Sequence, residues 1–320
     1  MNYTFLGKTG VQVSELCFGT MTFGNQADEA ESKRLFSAAC DAGINFFDSA
    51  NVYGRGIAET ILGKCIQGRR NELVITTKVY NKMSDQINDR GSSRRHITAA
   101  IEASLKRLHT DYVDIYFLHG WDEHTALEET LSTLTTLMEK GKIIYYGISN
   151  FSAWQIEKAI RVAERNNLRP PSVIQPMYNL VKRQAEVEIL PMALDENLGV
   201  ISYSPLGGGL LTGKYLNSAD TSRGRLDEND KYKRRFGLPR YRDAAEKFIE
   251  YAEKTRTSPI SLAVAWVLAH PAVTAPIIGA RSVEQLRPSL DAVKIDMTPE
   301  LYEKLSSFSE APPPATDRNE

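Results

Sequence analysis

The chain has 320 residues, 42% hydrophobic and 25% charged, with 39 basic and 40 acidic side chains and a formal net charge of −1. That length buries a large core, as one large domain or two smaller ones, and the balanced charge gives no reason to expect nucleic acid or an anionic membrane as partner. Three cysteines, Cys17, Cys40 and Cys65, show no C-x-x-C spacing and read as reduced thiols in a reducing compartment.

At the N-terminus no basic stretch precedes an apolar one, so no signal peptide is expected and the chain reads as cytoplasmic. Tyr3–Leu6 and Val11–Val13 flank Gly7-Lys8-Thr9-Gly10 and read as a hairpin placed to plug the bottom of a barrel. Eight strand-like segments follow: Leu16–Thr20, Asn45–Asp48, Leu73–Lys78, Val113–His119, Ile143–Ser149, Val173–Gln175, Val200–Ser204 and Ala275–Gly279. Continuous apolar runs of this kind belong to parallel strands buried on both faces.

Helical periodicity fills the intervals. Asp28 caps a helix burying Leu35, Phe36 and Ala39, which Gly43 ends. Ser93 opens a second with Ile97, Ile101, Leu105 and Leu108, and a third buries Leu127, Leu131, Leu134 and Met138 before Gly141. Ser152 caps a helix carrying Ile156, Ile160 and Ala163. The apolar stretch from Ile260 to Ala280 is broken at His270-Pro271, and Ser258-Pro259 starts it as a buried helix rather than a membrane span.

Eight strands alternating with helices give a (β/α)8 barrel over residues 1–308, with a doubly wound open sheet as its rival. Between the seventh and eighth strands lies a long insertion. Its part from Leu216 to Arg242 is dense in charge and reads as a surface loop or lid. The proline-rich end within residues 309–320 reads as a disordered tail.

Three strands end on polar residues, Asp48, Lys78 and His119, and Tyr53 follows Asp48 by five positions. Parallel strands bring such endings to one mouth, where barrel enzymes place their chemistry. Each residue alone has a bland reading: a turn cap, a half-buried phenol, a snorkelling cation, a core histidine. Together they form an acid/base centre. Carbonyl reduction needs a proton donor as charge develops on oxygen. A phenol of pKa ~10 keeps its proton at neutral pH, and a neighbouring ammonium lowers that value. Asp48 would then hold Lys78, and His119 would bind the substrate oxygen.

Other motifs fail. Gly54-Arg55-Gly56 has Glu59 where a dinucleotide fingerprint needs its third glycine, and Tyr215 replaces the hydroxyl residue of a P-loop at Gly208–Lys214. His119 and His124 match no zinc spacing, so no metal is expected.

The segments Gly19–Gly24, Asp48–Gly54, Thr76-Thr77-Lys78, Asp111–Asp114 leading to Leu118-His119, Gly147–Phe151, Tyr203–Leu206 and Ile277–Arg281 resemble the aldo-keto reductase family over nearly the whole barrel. The resemblance implies an NADPH-dependent reductase of aldehydes and ketones with Tyr53 as general acid, NADH being the alternative cofactor. It implies Ser149, Asn150 and Gln175 on the nicotinamide carboxamide and Tyr203 stacked on its ring. Ser204, Leu206, Gly209 and Lys214 would wrap the pyrophosphate, and Gly279, Ala280, Arg281, Ser282 and Gln285 would hold the adenosine 2′-phosphate. The family's usual Glu and Asn after Gln-Leu are replaced by Pro288 and Ser289, with Arg287 available to compensate. Met21, Tyr80 and Trp121, with Tyr178, follow strand ends and would line a pocket for aryl or other apolar carbonyl compounds and their alcohols. An NADPH-binding, redox-sensing accessory protein resembling channel β-subunits is the rival function, and no oligomeric state is indicated.

Overall fold

The structure, a computed structural model, describes residues 1–216, 226 and 230–316. Two short strands, β1 (Tyr3–Phe5) and β2 (Gln12–Ser14), pair antiparallel. Eight parallel strands follow: β3 (Cys17–Gly19), β4 (Phe46–Asp48), β5 (Val74–Val79), β6 (Val113–Leu118), β7 (Ile143–Ser149), β8 (Val173–Gln175), β9 (Gly199–Val200) and β10 (Ile277–Ile278). Their order is β10-β3-β4-β5-β6-β7-β8-β9, and Ile277 N donates to Ser202 O at 2.8 Å to close β9 on β10. The sheet is the (β/α)8 barrel expected from the alternation, not an open sheet.

The helices are α1 (Glu29–Asp41), α2 (Ile57–Cys65), α3 (Arg94–Leu108), α4 (Leu127–Glu139), α5 (Ala153–Arg165), α6 (Ile189–Asp195), α7 (Asp230–Phe236), α8 (Pro239–Lys254), α9 (Pro259–Leu268), α10 (Val283–Leu290) and α11 (Pro299–Ser306). Their starts obey local chemistry. Asp28 accepts from Glu31 N, Ser93 from His96 N and Ser258 from Ser261 N, and Ser152 forms a capping box with Gln155. The last two strands are shorter than their apolar runs because ladder pairing stops early. The chain nonetheless stays extended past β9, with Ile201 N bonded to Ile174 O and Tyr203 N to Pro176 O.

Side-chain alternation builds two cores. Outward residues such as Phe18, Phe47, Ile75 and Val79 pack under the helices. Inward residues Cys17, Phe46, Val74, Ile115, Phe117, Val173, Ile201 and Ala275 fill the barrel, and Leu6 and Val13 from the hairpin join them. Gly199 leaves room for Leu6, since a Cβ there would come within 2.6 Å of it. The hairpin thus seals the N-terminal end of the barrel.

The insertion is not loop throughout. Within 216–242, residues 217–225 and 227–229 lie outside the described residues, and 230–236 and 239–242 form α7 and the start of α8. Of the proposed tail, 309–316 carries no helix or strand and 317–320 lies outside the described residues. No described helix is long and apolar enough to cross a membrane.

Candidate active site

The period-two alternation that fills the barrel also assembles its mouth. Ascending the inward face, Phe46 leads to Asp48, Val74 to Thr76 and Lys78, Ile115 and Phe117 to His119, and Val173 to Gln175. Each face is apolar below and polar at its C-terminal end. Residues far apart in sequence therefore meet in one layer.

Lys78 is fully buried, and so is no snorkelling surface cation. Its Nζ donates to Asp48 Oδ2 at 2.6 Å, to Ser49 O at 2.7 Å and to Tyr53 Oη at 3.4 Å. Asp48 accepts in addition from Thr76 Oγ1 at 2.8 Å and from Gln175 Nε2 at 2.9 Å, both through Oδ1. A buried carboxylate with this many donors is satisfied as a charged acceptor. Burial lowers the Lys78 value, but Asp48 and then Tyr53 more than offset it and hold the ammonium above its ordinary range.

Tyr53 is half-buried at the mouth. Burial pushes its phenol above the ordinary value, and Lys78 pulls it down without cancelling the rise. This corrects the expectation that the ammonium sets the direction: desolvation wins, and the phenol is firmly protonated at neutral pH. His119 faces Tyr53 edge-on, with ring centroids 6.1 Å apart. Asn81 Nδ2 lies 3.0 Å from His119 Nδ1. With the amide as donor, Nε2 carries the ring proton and can offer it to a substrate oxygen. Asn81 was not singled out from the sequence, since it follows β5 without any motif.

The neighbouring strand ends interlock. Asn150 adopts a left-handed φ of 61°, which asparagine tolerates. Its Nδ2 donates to His119 O at 2.8 Å and Ser149 Oγ at 3.1 Å, and its Oδ1 accepts from Tyr203 Oη at 2.7 Å. Ser149 Oγ donates to Gln175 O at 2.9 Å. Ser204 is also left-handed, its carbonyl held by Asn179 Nδ2 at 3.0 Å. After Leu206, Gly207, Gly208 and Gly209 have φ of 57°, 69° and 97°, a run that only glycine adopts without strain. Lys214 returns beside Gly209. At the neighbouring strand end, Gly279 is exposed after β10, and Arg281 N donates to Gln285 Oε1 at 3.2 Å where Ser282 caps α10.

The aldo/keto reductase family model matches residues 15–310. The chain belongs to the aldo/keto reductase family. It is 42% identical over 324 residues to "Uncharacterized oxidoreductase YrpG" of Bacillus subtilis, covering 98% of this chain and 97% of that one. It is 36% identical to a "Probable voltage-gated potassium channel subunit beta" of Oryza sativa, covering 99% of each. A protein of the same description from Arabidopsis thaliana is also 36% identical, over 98% of each.

In this aldo/keto reductase, Met21, Tyr80 and Trp121 all follow strand ends and are half-buried. Tyr80 has φ of 140° and its ring rests against Gly120, where a Cβ would come within 3.0 Å. Trp121 packs edge-on to Phe151 at 5.2 Å and to Trp154 at 5.7 Å, and Trp154 is itself 61% exposed. Tyr178 does not join them. It is fully buried against Trp266 and His270, with Oη donating to Glu186 Oε1 at 2.6 Å. It follows a strand end but faces outward into the helical layer.

Helix α7 comes from the insertion, which was expected at the mouth as a loop or lid and not as a helix. Tyr232 and Phe236 lie over Gly208, where a Cβ would come within 3.0 and 3.1 Å of their rings. The Tyr203 phenol is raised by burial, with Arg235 opposing and Tyr232 adding, so the helix looks onto the mouth.

Proposed function

We propose that this family member reduces aldehydes and ketones, aryl or otherwise apolar, to alcohols and catalyses the reverse oxidation, with NADPH in preference to NADH. The observation that carries the reading is Lys78 Nζ bonded between Asp48 Oδ2 and Tyr53 Oη at the mouth of the barrel. Family members generally use NAD(P)H, and the residues around the mouth fit such a dinucleotide. Three left-handed glycines beside Lys214 form a cradle that any Cβ would fill, and exposed Gly279 with Arg281 offers a phosphate site at the neighbouring strand end.

The dinucleotide, when bound, supplies the hydride. Tyr53 donates its proton to the carbonyl oxygen as negative charge develops there. Lys78 stabilises the phenolate left behind, and Asp48 keeps Lys78 charged and in place. His119 donates from Nε2 to the same oxygen and orients it. Gln175, donating to Asp48 through Nε2, has Oε1 to accept from a carboxamide N–H. Asn150 and Ser149 fix the adjacent wall, and Tyr203, tethered to Asn150, presents its ring to the nicotinamide. Met21, Tyr80 and Trp121 give the pocket apolar walls, which favours aryl substrates.

Steady-state reduction of an aromatic aldehyde with NADPH, compared between the native protein and Tyr53→Phe, tests the reading. Turnover should fall by about 10²–10⁴-fold, the usual contribution of a general acid. Unchanged turnover would remove Tyr53 from the role. A second reading, a dinucleotide-binding accessory subunit of a channel, draws on the full-length likeness to the two plant proteins. Tight NADPH binding with negligible turnover of every carbonyl offered would favour it.

A further inference from the structure

Tyr53 is followed by three left-handed residues in a row: Gly54 (φ 56°), Arg55 (φ 52°) and Gly56 (φ 96°). Arg55 is strained there, and such a turn persists only where its surroundings hold it. Immediately beyond, in the first turn of α2, Glu59 is fully buried. Its Oε2 accepts from Arg107 Nε at 2.7 Å, and its Oε1 accepts a short bond from Thr77 Oγ1. Thr77 is the residue before Lys78 on β5, pointing outward where Lys78 points inward. Arg107 is also held by Ser104 Oγ at 3.1 Å, and its stem lies under Gly56, where a Cβ would come within 2.7 Å of Cδ. At Gly63 the backbones of α2 and α3 approach so closely that a Cβ would meet Arg107 O at 2.4 Å.

Resting on the reading of Tyr53 as the acid, we infer that Glu59 and Arg107 are a positioning pair that sets the Tyr53 hydroxyl against Lys78. Glu59 grips the strand of Lys78 through Thr77 and the turn of Tyr53 through its own helix. Arg107 braces both from α3. The pair lies outside the barrel wall and touches neither substrate nor cofactor. Its effect passes through the 3.4 Å contact between Lys78 Nζ and Tyr53 Oη. A displacement of about 1 Å at reacting groups costs on the order of a hundredfold in rate.

Arg70 with Asp114 is a matched control, a partly buried pair at 2.7 Å that also supports β5, through Ile75 N, but at its N-terminal end. The native protein, Arg107→Met, Arg107→Lys, Arg70→Met and Tyr53→Phe are compared for thermal midpoint, NADPH affinity by nicotinamide fluorescence, and kcat and KM with an aromatic aldehyde. Arg107→Met should lose at least about tenfold in kcat with NADPH affinity within about twofold of native, and Arg107→Lys should recover most of it. Arg70→Met should lower the midpoint and leave kcat near native. If Arg107→Met does not fold, Glu59→Gln, which keeps the shape and removes the charge, is judged by the same criteria. Native kcat in the folded pair variant, or an equal loss in Arg70→Met, overturns the inference. Loss in Tyr53→Phe with native kcat in Arg107→Met overturns the positioning role alone. Native turnover in Tyr53→Phe overturns the acid assignment, and the pair's purpose with it.

Discussion

Gln175 Nε2 reaches Asp48 Oδ1 at 2.9 Å across the barrel, joining β8 to β4, strands four places apart in the sheet of eight. A residue expected on the cofactor is thus also bonded to the carboxylate that holds Lys78. Both side chains are buried, so the bond is shielded from water. Replacing Gln175 by Leu removes one donor from a buried charge and should cost about 1.5–3 kcal/mol of stability. Urea unfolding measures it, and a cost below about 0.5 kcal/mol, the low end for any net hydrogen bond, would show that Asp48 does not depend on the crossing bond.

The pH dependence follows from two protons held more tightly in the folded chain than in the unfolded one. Tyr53 and Lys78 both have raised values, against ordinary values of 10.0 and 10.5. Their stabilisation is complete below those ordinary values and is lost as pH rises through the higher folded ones. Stability should therefore stay level through neutral pH with respect to this pair and fall above about pH 10. Phenolate absorbance, native minus Tyr53→Phe, should show no Tyr53 ionisation below about pH 10 in the free protein. Ionisation near neutrality would mean that Lys78, not burial, governs the phenol.

Gly208 carries a φ of 69° and lies beneath the rings of Tyr232 and Phe236. Alanine there meets a left-handed backbone penalty of about 1–2 kcal/mol and two rings that must move. Dinucleotide affinity should weaken while kcat at saturating cofactor stays near native, because the tetrad is untouched. Fluorescence titration with steady-state kinetics separates these. A large loss of kcat with unchanged affinity would place the glycine run away from the cofactor.

Arg281 offers a guanidinium at the rim beside α10. Arg281→Ala should raise the Kd for NADPH by about 10–100-fold, the loss of a charged hydrogen-bonding partner, and leave that for NADH nearly unchanged. Equal losses for both dinucleotides would argue that Arg281 does not read the 2′-phosphate.

Much of the barrel was legible because parallel strands announce themselves as apolar runs, and their polar endings share one mouth. Asp48, Lys78 and His119 could be read that way, and Tyr53 by its closeness to Asp48. The bonds among them could not. Gln175 with Asp48, Tyr203 with Asn150, and Thr77 and Arg107 with Glu59 join residues brought together only by the closing of the sheet. Tyr178 was misread because a strand-end position does not tell inward from outward. Helix α7 was read as loop or lid because its seven residues, Asp230–Phe236, are mostly charged, and its packing on the glycine run is a contact that no pattern in the sequence shows. The rise in the Tyr53 phenol was misjudged because burial depth is not written in a pattern of neighbours.

The N-terminal hairpin has a consequence for where damage to the chain would be felt. Leu6 and Val13 belong to the same buried cluster as the inward strand residues, so the barrel is packed solid from its floor up to the polar layer. Loss of the hairpin would uncover that cluster at the end remote from Lys78 and Tyr53, a cost in folding rather than in rate.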